Sequence, residues 1–148
     1  MFTLLKSQSK HDPRQHVKPN KYHTVVFHQT SSFCPDDFNL NAQLPSTKFK
    51  LSKGGLLKLT LGHRFIQNPN YNLDTTVVAR TLVSHQKYRN RKEVGKTRVV
   101  TNGPCDLVTT SMPFWVEPGT EVWADIWQMN ASGIPYQLEY VYLSVEVW

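Results

Sequence analysis

The chain has 148 residues, about the length of one domain, which is enough to bury a core without disulfides or metals. Hydrophobic residues make up 39% and charged residues 19%, and no apolar run approaches the roughly 18 residues that a membrane span needs. These totals predict one globular domain and exclude a membrane-spanning protein. The opening MFTLL is too short for the apolar part of a secretory signal, so either secretion is not intended or a signal has been removed.

Charge is divided unevenly along the chain. Residues 1–100 carry all 17 Lys and Arg against 5 Asp and Glu, whereas residues 101–148 carry 6 acids and no Lys or Arg. The acidic part of one molecule could therefore meet the basic part of another, or the basic part could face an anionic partner such as nucleic acid.

Residues 1–23 are basic, contain two prolines and show no sustained period. This composition predicts an extended arm outside the core, ahead of a single domain over 24–148. The arm is expected either to fray in solvent or to dock on neighbouring subunits or other particle proteins. Its cations are Lys6, Lys10, Arg14, Lys18 and Lys21.

The next segments alternate between strand and turn signals. Leu57, Leu59, Leu61, His63 and Phe65 share one side of a half-buried strand, and residues 75–84 form a β-branched strand. Turns are indicated at Gly-Gly 54–55, at 67–74, at 102–104 and at 117–120. About eight to ten short strands without a helix longer than two turns predict an all-β antiparallel sandwich.

Residues 87–98 form a second basic segment, with Tyr88 as its single aromatic residue. Turn-prone Asn90 and Gly95 predict a hairpin tip here. The segment is either a solvated loop or a contact for nucleic acid or a neighbouring subunit, and any nucleic-acid binding would be non-specific and salt-dependent. Its cations are Lys87, Arg89, Arg91, Lys92, Lys96 and Arg98.

Two C-terminal stretches, TEVWADIWQ (120–128) and LEYVYLSVEVW (138–148), alternate with period two. One side of each is aliphatic and predicts a core strand. The opposite sides predict an oligomer interface, because large aromatic residues on an outward side mark a contact surface. The alternative is that the arm or a loop of the same chain covers Trp123 and Trp127. The predicted interface residues are Trp123, Trp127, Tyr140, Tyr142 and Trp148.

No sequence pattern indicates catalysis. The six histidines lack the close spacing of zinc ligands, Asp36 and Asp37 have no neighbouring acids for a calcium site, and phosphate-loop and nucleophile-elbow motifs are missing. Cys34 and Cys105 allow at most one disulfide, with free thiols favoured. We therefore expect no enzyme, no cofactor and no metal.

Three segments carry a resemblance. TKFKLSKGGLLKLTLGHRF (47–65), MPFWVEPGTEVWADIWQ (112–128) and the closing LEYVYLSVEVW resemble the turn-into-strand and strand motifs of the jelly roll in complement-type globular heads and tumour-necrosis-factor-like ligands. The resemblance implies a jelly roll whose last strand packs near a threefold axis. Jelly rolls of similar size, often preceded by a basic arm, also build viral capsids, pentons, spikes and phage fibre knobs.

Two functions follow as hypotheses. The first is a structural protein of a virus or phage particle, located in the virion and engaged in assembly or host attachment as a homo-oligomer, with a trimer favoured over a pentamer. The alternative is a secreted trimeric recognition head that binds a receptor or glycan. Both are non-enzymatic, and neither involves a membrane.

Overall fold

A computed structural model describes residues 2–33, 40–41, 43–66, 74–87, 91–102 and 106–148 of the chain. Within these residues the structure consists of strands and turns, and eight strands have five residues or more. The all-β class predicted from the sequence is confirmed. The strands are β1 (Phe2–Gln8), β2 (His16–Val17), β3 (His23–Thr24), β4 (Gln29–Phe33), β5 (Leu40–Asn41), β6 (Phe49–Leu51), β7 (Gly55–Phe65), β8 (Asp74–Ser84), β9 (Lys92–Asn102), β10 (Asp106–Thr110), β11 (Phe114–Val116), β12 (Glu121–Asn130) and β13 (Tyr136–Val147).

The strands form two antiparallel sheets. The first sheet has the order β10–β7–β13–β1–β4, with β11 beside β7 and β2 beside β13. The second sheet has the order β5–β6–β12–β8–β9, with β3 beside β12. The buried aliphatic residues of both sheets belong to one continuous core, so the sheets pack face to face as a sandwich.

The inward-facing side chains of the long strands, at every second position, fill that core. Leu57, Leu59 and Leu61 of β7 are fully buried, as are Val122 and Ile126 of β12. The side of β7 predicted from the sequence is therefore confirmed. Branched aliphatic side chains on inward positions suit a pleated strand, and each fully buried one contributes about 1.5–3 kcal/mol of transfer free energy.

A tight turn carries the chain from the first sheet to the second. Pro118 and Gly119 occupy its centre, and Gly119 has a φ of 88°, in the region that favours glycine. The backbone N–H of Thr120 donates to the carbonyl oxygen of Glu117 at 3.2 Å, and the Thr120 hydroxyl donates to the same oxygen at 2.7 Å. This geometry ends the β11 segment and starts β12, as the sequence predicts.

The two C-terminal strands lie in different sheets. Strand β12 pairs with β8 in the second sheet, whereas β13 lies between β7 and β1 in the first. Their aliphatic sides face each other across the core. Their aromatic sides therefore point away from each other, onto opposite outer surfaces of the sandwich.

The N-terminal segment differs from the extended arm expected over residues 1–23. Strand β1 pairs with β13 along its whole length and with β4 on its other side. Leu5 and Val17 are buried in the core. Pairing on both edges satisfies the backbone hydrogen-bonding groups of β1, which holds this segment within the sandwich.

The second basic segment lies largely on an edge strand. Strands β8 and β9 pair antiparallel, and Gly95 lies inside β9 opposite Thr81 rather than at a hairpin tip. The pairing shifts register at Thr81 and Leu82, and a Cβ on Gly95 would lie 2.8 Å from the Thr81 hydroxyl oxygen. Glycine is therefore needed for close strand packing at this irregularity. Asn90, the other predicted tip residue, lies outside the described residues.

Candidate assembly surface

The outer side of the first sheet carries a row of large apolar side chains. Trp115 lies opposite Leu56 on the neighbouring strand, and Leu56 exchanges two backbone hydrogen bonds with Trp148. Opposite residues of antiparallel strands project to the same side, and the adjacent residues of these strands belong to the core. The row therefore faces outward. Trp115 is 76% exposed and Trp148 is 60% exposed, which is unusual for indoles on a sheet surface.

The centre of the same outer surface is built mostly from small and apolar side chains, and a charged row separates it from the tryptophan row: Lys58 lies opposite Glu146, which lies opposite Phe2. Two rows cross it: Thr110, Thr60, Ser144 and Leu4, then Val108, Gly62, Tyr142 and Lys6. The Tyr142 ring lies directly over Gly62, because a Cβ added to Gly62 would meet ring atoms at 2.2 Å. Glycine thus lets the tyrosine lie against the sheet and keeps this part of the surface low enough for another surface to pack on it. We call these four rows the assembly surface.

A polar cluster borders the assembly surface. The Tyr140 hydroxyl donates to the Asp106 carboxylate at 2.6 Å, and this hydrogen bond, with a smaller effect of desolvation, raises the pKa of Tyr140 to about 12. Arg64 Nε lies 3.7 Å from Asp106 Oδ1 and 3.5 Å from Glu139 Oε2. All these groups are partly exposed, so the cluster contributes little to stability and instead gives the surface a polar rim.

The five aromatic residues predicted as one interface divide between two surfaces. Tyr140, Tyr142 and Trp148 lie on the outer side of the first sheet, whereas Trp123 and Trp127 lie on the outer side of the second. Trp123 is only 5% exposed, and the Lys48 ammonium lies 4.6 Å from the centre of its ring. The alternative weighed from the sequence, that the chain itself covers this tryptophan, agrees with its burial.

The predicted basic residues do not form one surface. Lys6 lies on the assembly surface, and Lys10 and Arg14 follow β1. Lys87 Nζ lies 2.9 Å from Glu117 Oε2. Arg91 and Lys92 are exposed at the start of β9. Arg89 lies outside the described residues. A smaller group does converge. Lys96 and Arg98 line a groove with Tyr22, Val78 and Trp127, here called the basic-aromatic groove, and Lys18 and Lys21 line a cavity beside it that Tyr22 shares.

The acids of residues 101–148 pair largely with cations of the same molecule. Besides the Arg64 contacts and the Lys87–Glu117 pair, Arg80 Nη2 lies 2.9 Å from Asp125 Oδ2 in a buried ion pair. The uneven charge along the sequence therefore does not by itself indicate contact between molecules.

The described residues contain no group of three or more His, Cys, Asp or Glu that could hold a metal ion. They also form no helix long and apolar enough to cross a membrane. His63 is buried as predicted, but its Nδ1 atom has no hydrogen-bond partner in the described structure. Burial lowers the pKa of His63 to about 4, so the ring is neutral at pH 7. Cys34, Cys105, Asp36 and Asp37 lie outside the described residues.

Sequence reasoning missed Trp115 and Leu56 on the assembly surface and Tyr22 in the groove. Strand β11 has three residues, which is too short for a period to be visible. Tyr22 precedes a two-residue strand in a segment that reads as irregular. In both places an isolated aromatic residue is the sole sequence signal, and its neighbours in space come from distant parts of the chain.

No protein-family model and no curated protein match the sequence. Among solved structures, the chain is similar to Eiger TNF from S. frugiperda, with a TM-score of 0.60 and 10% identity over 99% of this chain and 93% of that one. The chain has a jelly-roll fold. It is also similar to the globular domain of zebrafish complement 1qA protein (TM-score 0.58, 14% identity, 99% and 96% covered) and to murine APRIL (0.53, 11%, 99% and 100%). The resemblance predicted from the three sequence segments is confirmed at the level of fold.

Proposed function

We propose that the protein is a non-enzymatic recognition head that assembles into a closed homotrimer through the assembly surface. The observation that carries the proposal is the row of Trp115, Leu56 and Trp148, whose two indoles project into solvent from the hydrogen-bonded strands of the first sheet. Aromatic residues are enriched at protein interfaces, where they bury a large area at small entropic cost. A second copy of the chain is the simplest partner, since each molecule carries the same surface.

The composition of the surface supports close contact between sheets. Thr60, Ser144 and Gly62 are small, and Leu4 and Val108 on either side of them are apolar. The polar cluster around Arg64 lies at the border, where interfaces are usually solvated. We propose three copies rather than two or five because the fold is similar to that of complement-type and tumour-necrosis-factor-like heads. The resemblance to those heads implies a trimer.

The same comparisons favour the recognition head over the particle protein expected first from the sequence. The three neighbours named above are a TNF, a complement domain and APRIL. The proposed head would act outside the cell and bind a receptor or glycan. A role in a virion or in host attachment has no supporting observation among these findings.

The test is the mass of the purified chain in solution, measured by size-exclusion chromatography with light scattering. Val108→Glu places a charge on the assembly surface, where Val108 is 53% exposed in the single chain. We expect the wild type to elute as a trimer at micromolar concentration and this variant to elute as a folded monomer, because an unpaired carboxylate buried at an interface is costly.

Val100→Glu is the matched control. Val100 is also an exposed strand valine, 70% exposed, but it lies on edge strand β9 of the second sheet. This variant should keep the wild-type mass. A monomeric wild type, or equal effects of the two substitutions, would overturn the proposed interface.

A further inference from the structure

The basic-aromatic groove lies on the side of the molecule opposite the assembly surface. Arg98 is opposite Val78, and Val78 is opposite Trp127, so the floor of the groove is a row across three strands of the second sheet. These residues face away from the core, and Tyr22 closes one side. The groove has a volume of about 240 Å³ and adjoins the cavity of Lys18 and Lys21, of about 160 Å³.

Buried polar contacts fix Tyr22 in place. The guanidinium carbon of Arg80 lies 3.6 Å from the centre of the Tyr22 ring. Arg80 Nε and Nη2 both donate to Asp125 Oδ2, at 3.2 and 2.9 Å, and the hydroxyl of Thr24 donates to Asp125 Oδ1 at 3.0 Å. Arg80, which packs on the ring, is therefore held in place before any ligand arrives. Binding then costs less conformational entropy than it would at a mobile side chain.

Positive charge around the groove is mostly uncompensated. Within the described structure, Lys18, Lys21 and Arg98 have no acid at ion-pair distance, and Lys96 has only Glu93 at 4.0 Å. Arg80 pairs with both Asp125 and Glu93, so Arg80 and Lys96 balance these two acids and the surplus positive charge lies on Lys18, Lys21 and Arg98. Two half-buried aromatic rings bordered by four cations form a concave site that attracts an anionic ligand with apolar faces.

We propose that the basic-aromatic groove binds an acidic polysaccharide, that is, a chain of sugar rings carrying sulfate or carboxylate groups. The apolar faces of the sugar rings pack on Trp127 and Tyr22, and the anionic groups accept hydrogen bonds from Arg98, Lys96 and the lysines of the adjoining cavity. This proposal rests on the proposed recognition function and names the class of its ligand. It does not depend on assembly, because the groove and the assembly surface lie on different sheets.

The geometry favours a sugar chain over single-stranded nucleic acid. A run of successive bases needs a series of open ring faces, whereas this groove offers only the second face of Tyr22, since Arg80 covers the first, and the exposed part of Trp127. Trp127 is itself half-buried in the sheet and lines the groove as part of its wall. A sugar ring needs only one apolar face, and its charged substituents project sideways to the rim, where the cations lie.

The experiment titrates the full chain into fluorescently labelled dextran sulfate, with uncharged dextran and a 20-nucleotide oligothymidylate in parallel. We expect binding of dextran sulfate alone. Lys96→Ser/Arg98→Ser should weaken it at least tenfold and reduce its salt dependence, because two charge contacts are lost. Trp127→Leu, which keeps an apolar side chain but removes the flat ring, should weaken it at least threefold without changing the salt dependence.

Lys10→Ser/Arg14→Ser is the matched control, since it removes two exposed charges of the N-terminal segment that line neither the groove nor the adjoining cavity. It should change the affinity less than twofold. Equal weakening by this control would show attraction by net charge alone and overturn the site. No binding of dextran sulfate, an unchanged affinity for Trp127→Leu with intact thermal unfolding, or tighter binding of the oligothymidylate would also overturn the proposal. Light scattering on the same variants separates this outcome from a failure of assembly.

Discussion

Acidification should destabilise the fold through His63, which packs in the core with its ring centre 5.3 Å from that of Phe65. Burial lowers the pKa of His63 from 6.5 to about 4, and the smaller effect of the Asp106 charge opposes this shift. Between these two values the unfolded chain binds the proton more readily than the folded chain does. Stability is therefore full above about pH 6.5 and falls as the pH drops toward 4.

The two pKa values set the size of the effect. At a pH below both pKa values, the free energy of unfolding is lower by about 3 kcal/mol than at neutral pH. At pH 5 it is lower by about 2 kcal/mol. This is a large part of the total of roughly 5–15 kcal/mol that stabilises a typical domain. The unpartnered Nδ1 atom of His63 adds no hydrogen bond that would offset the cost of burying the charged ring.

His63→Leu removes the titrating group while keeping an apolar filling for the core. Urea unfolding at pH 8, 6.5 and 5, at one protein concentration because self-association also contributes stability, measures the effect. Between pH 8 and pH 5, the free energy of unfolding should fall by about 2 kcal/mol more for the wild type than for His63→Leu. Equal pH dependence of the two proteins would refute the reasoning, since other acids titrate alike in both.

Three further substitutions test contacts of the two outer surfaces and of the β12–β13 turn. Gly62→Val places a Cβ where the outer part of the Tyr142 ring lies, so the ring must swing away from the sheet. We expect the free energy of unfolding to change by about 0.5 kcal/mol or less and self-association to weaken by light scattering, and an unchanged oligomer would contradict it. Arg80→Met leaves the Asp125 carboxylate buried without its partner, at a cost of about 3–5 kcal/mol in urea unfolding, and Arg80→Met/Asp125→Leu should recover most of it. Asn130→Asp removes an amide that donates to two oxygens, at 3.0 and 2.8 Å, so it should cost about 1–3 kcal/mol, and a neutral effect would show that the turn does not need these bonds.

Period-two alternation predicted the sides of the long strands. Strands β7, β12 and β13 each have ten residues or more, and most of their inward positions are apolar, with His63, Gln128 and Asn130 as buried polar exceptions. Over that length a period of two is visible without any alignment, and the turn at Gly119 marks where β12 starts. The three stretches that carry the jelly-roll resemblance are these same strands.

Sheet membership could not be predicted in the same way. Alternation reports which residues of one strand share a side, but it does not report which strands pair. Strands β12 and β13 are consecutive in sequence, yet they pair with β8 and β7 in separate sheets. One aromatic surface predicted from the sequence thus becomes two, because non-local hydrogen bonding decides the arrangement.

Strand β1 was hidden by the polarity of its inward side. Its buried positions are Thr3, Leu5 and Ser7, so two of three carry hydroxyl groups. The Ser7 hydroxyl is satisfied by His28 at 2.8 Å and by Gln15 at 3.1 Å, both from segments that fold back over the strand. A buried side that relies on such partners leaves no hydrophobic period in the sequence.

The charge of this chain shows how folding changes what composition implies. Taken along the sequence, +12 over residues 1–100 and −6 over residues 101–148 favour contact between unlike parts of two molecules. In the structure, Arg64, Arg80 and Lys87 already pair with acids of the C-terminal part of the same chain. Intramolecular pairing leaves the net charge of +6 unchanged, so the surplus must lie on cations without acidic neighbours. In the described structure, Arg98, Lys18 and Lys21 at the basic-aromatic groove are such cations. The surplus therefore supports binding of an external polyanion, whereas the proposed assembly rests on the exposed tryptophans of the first sheet.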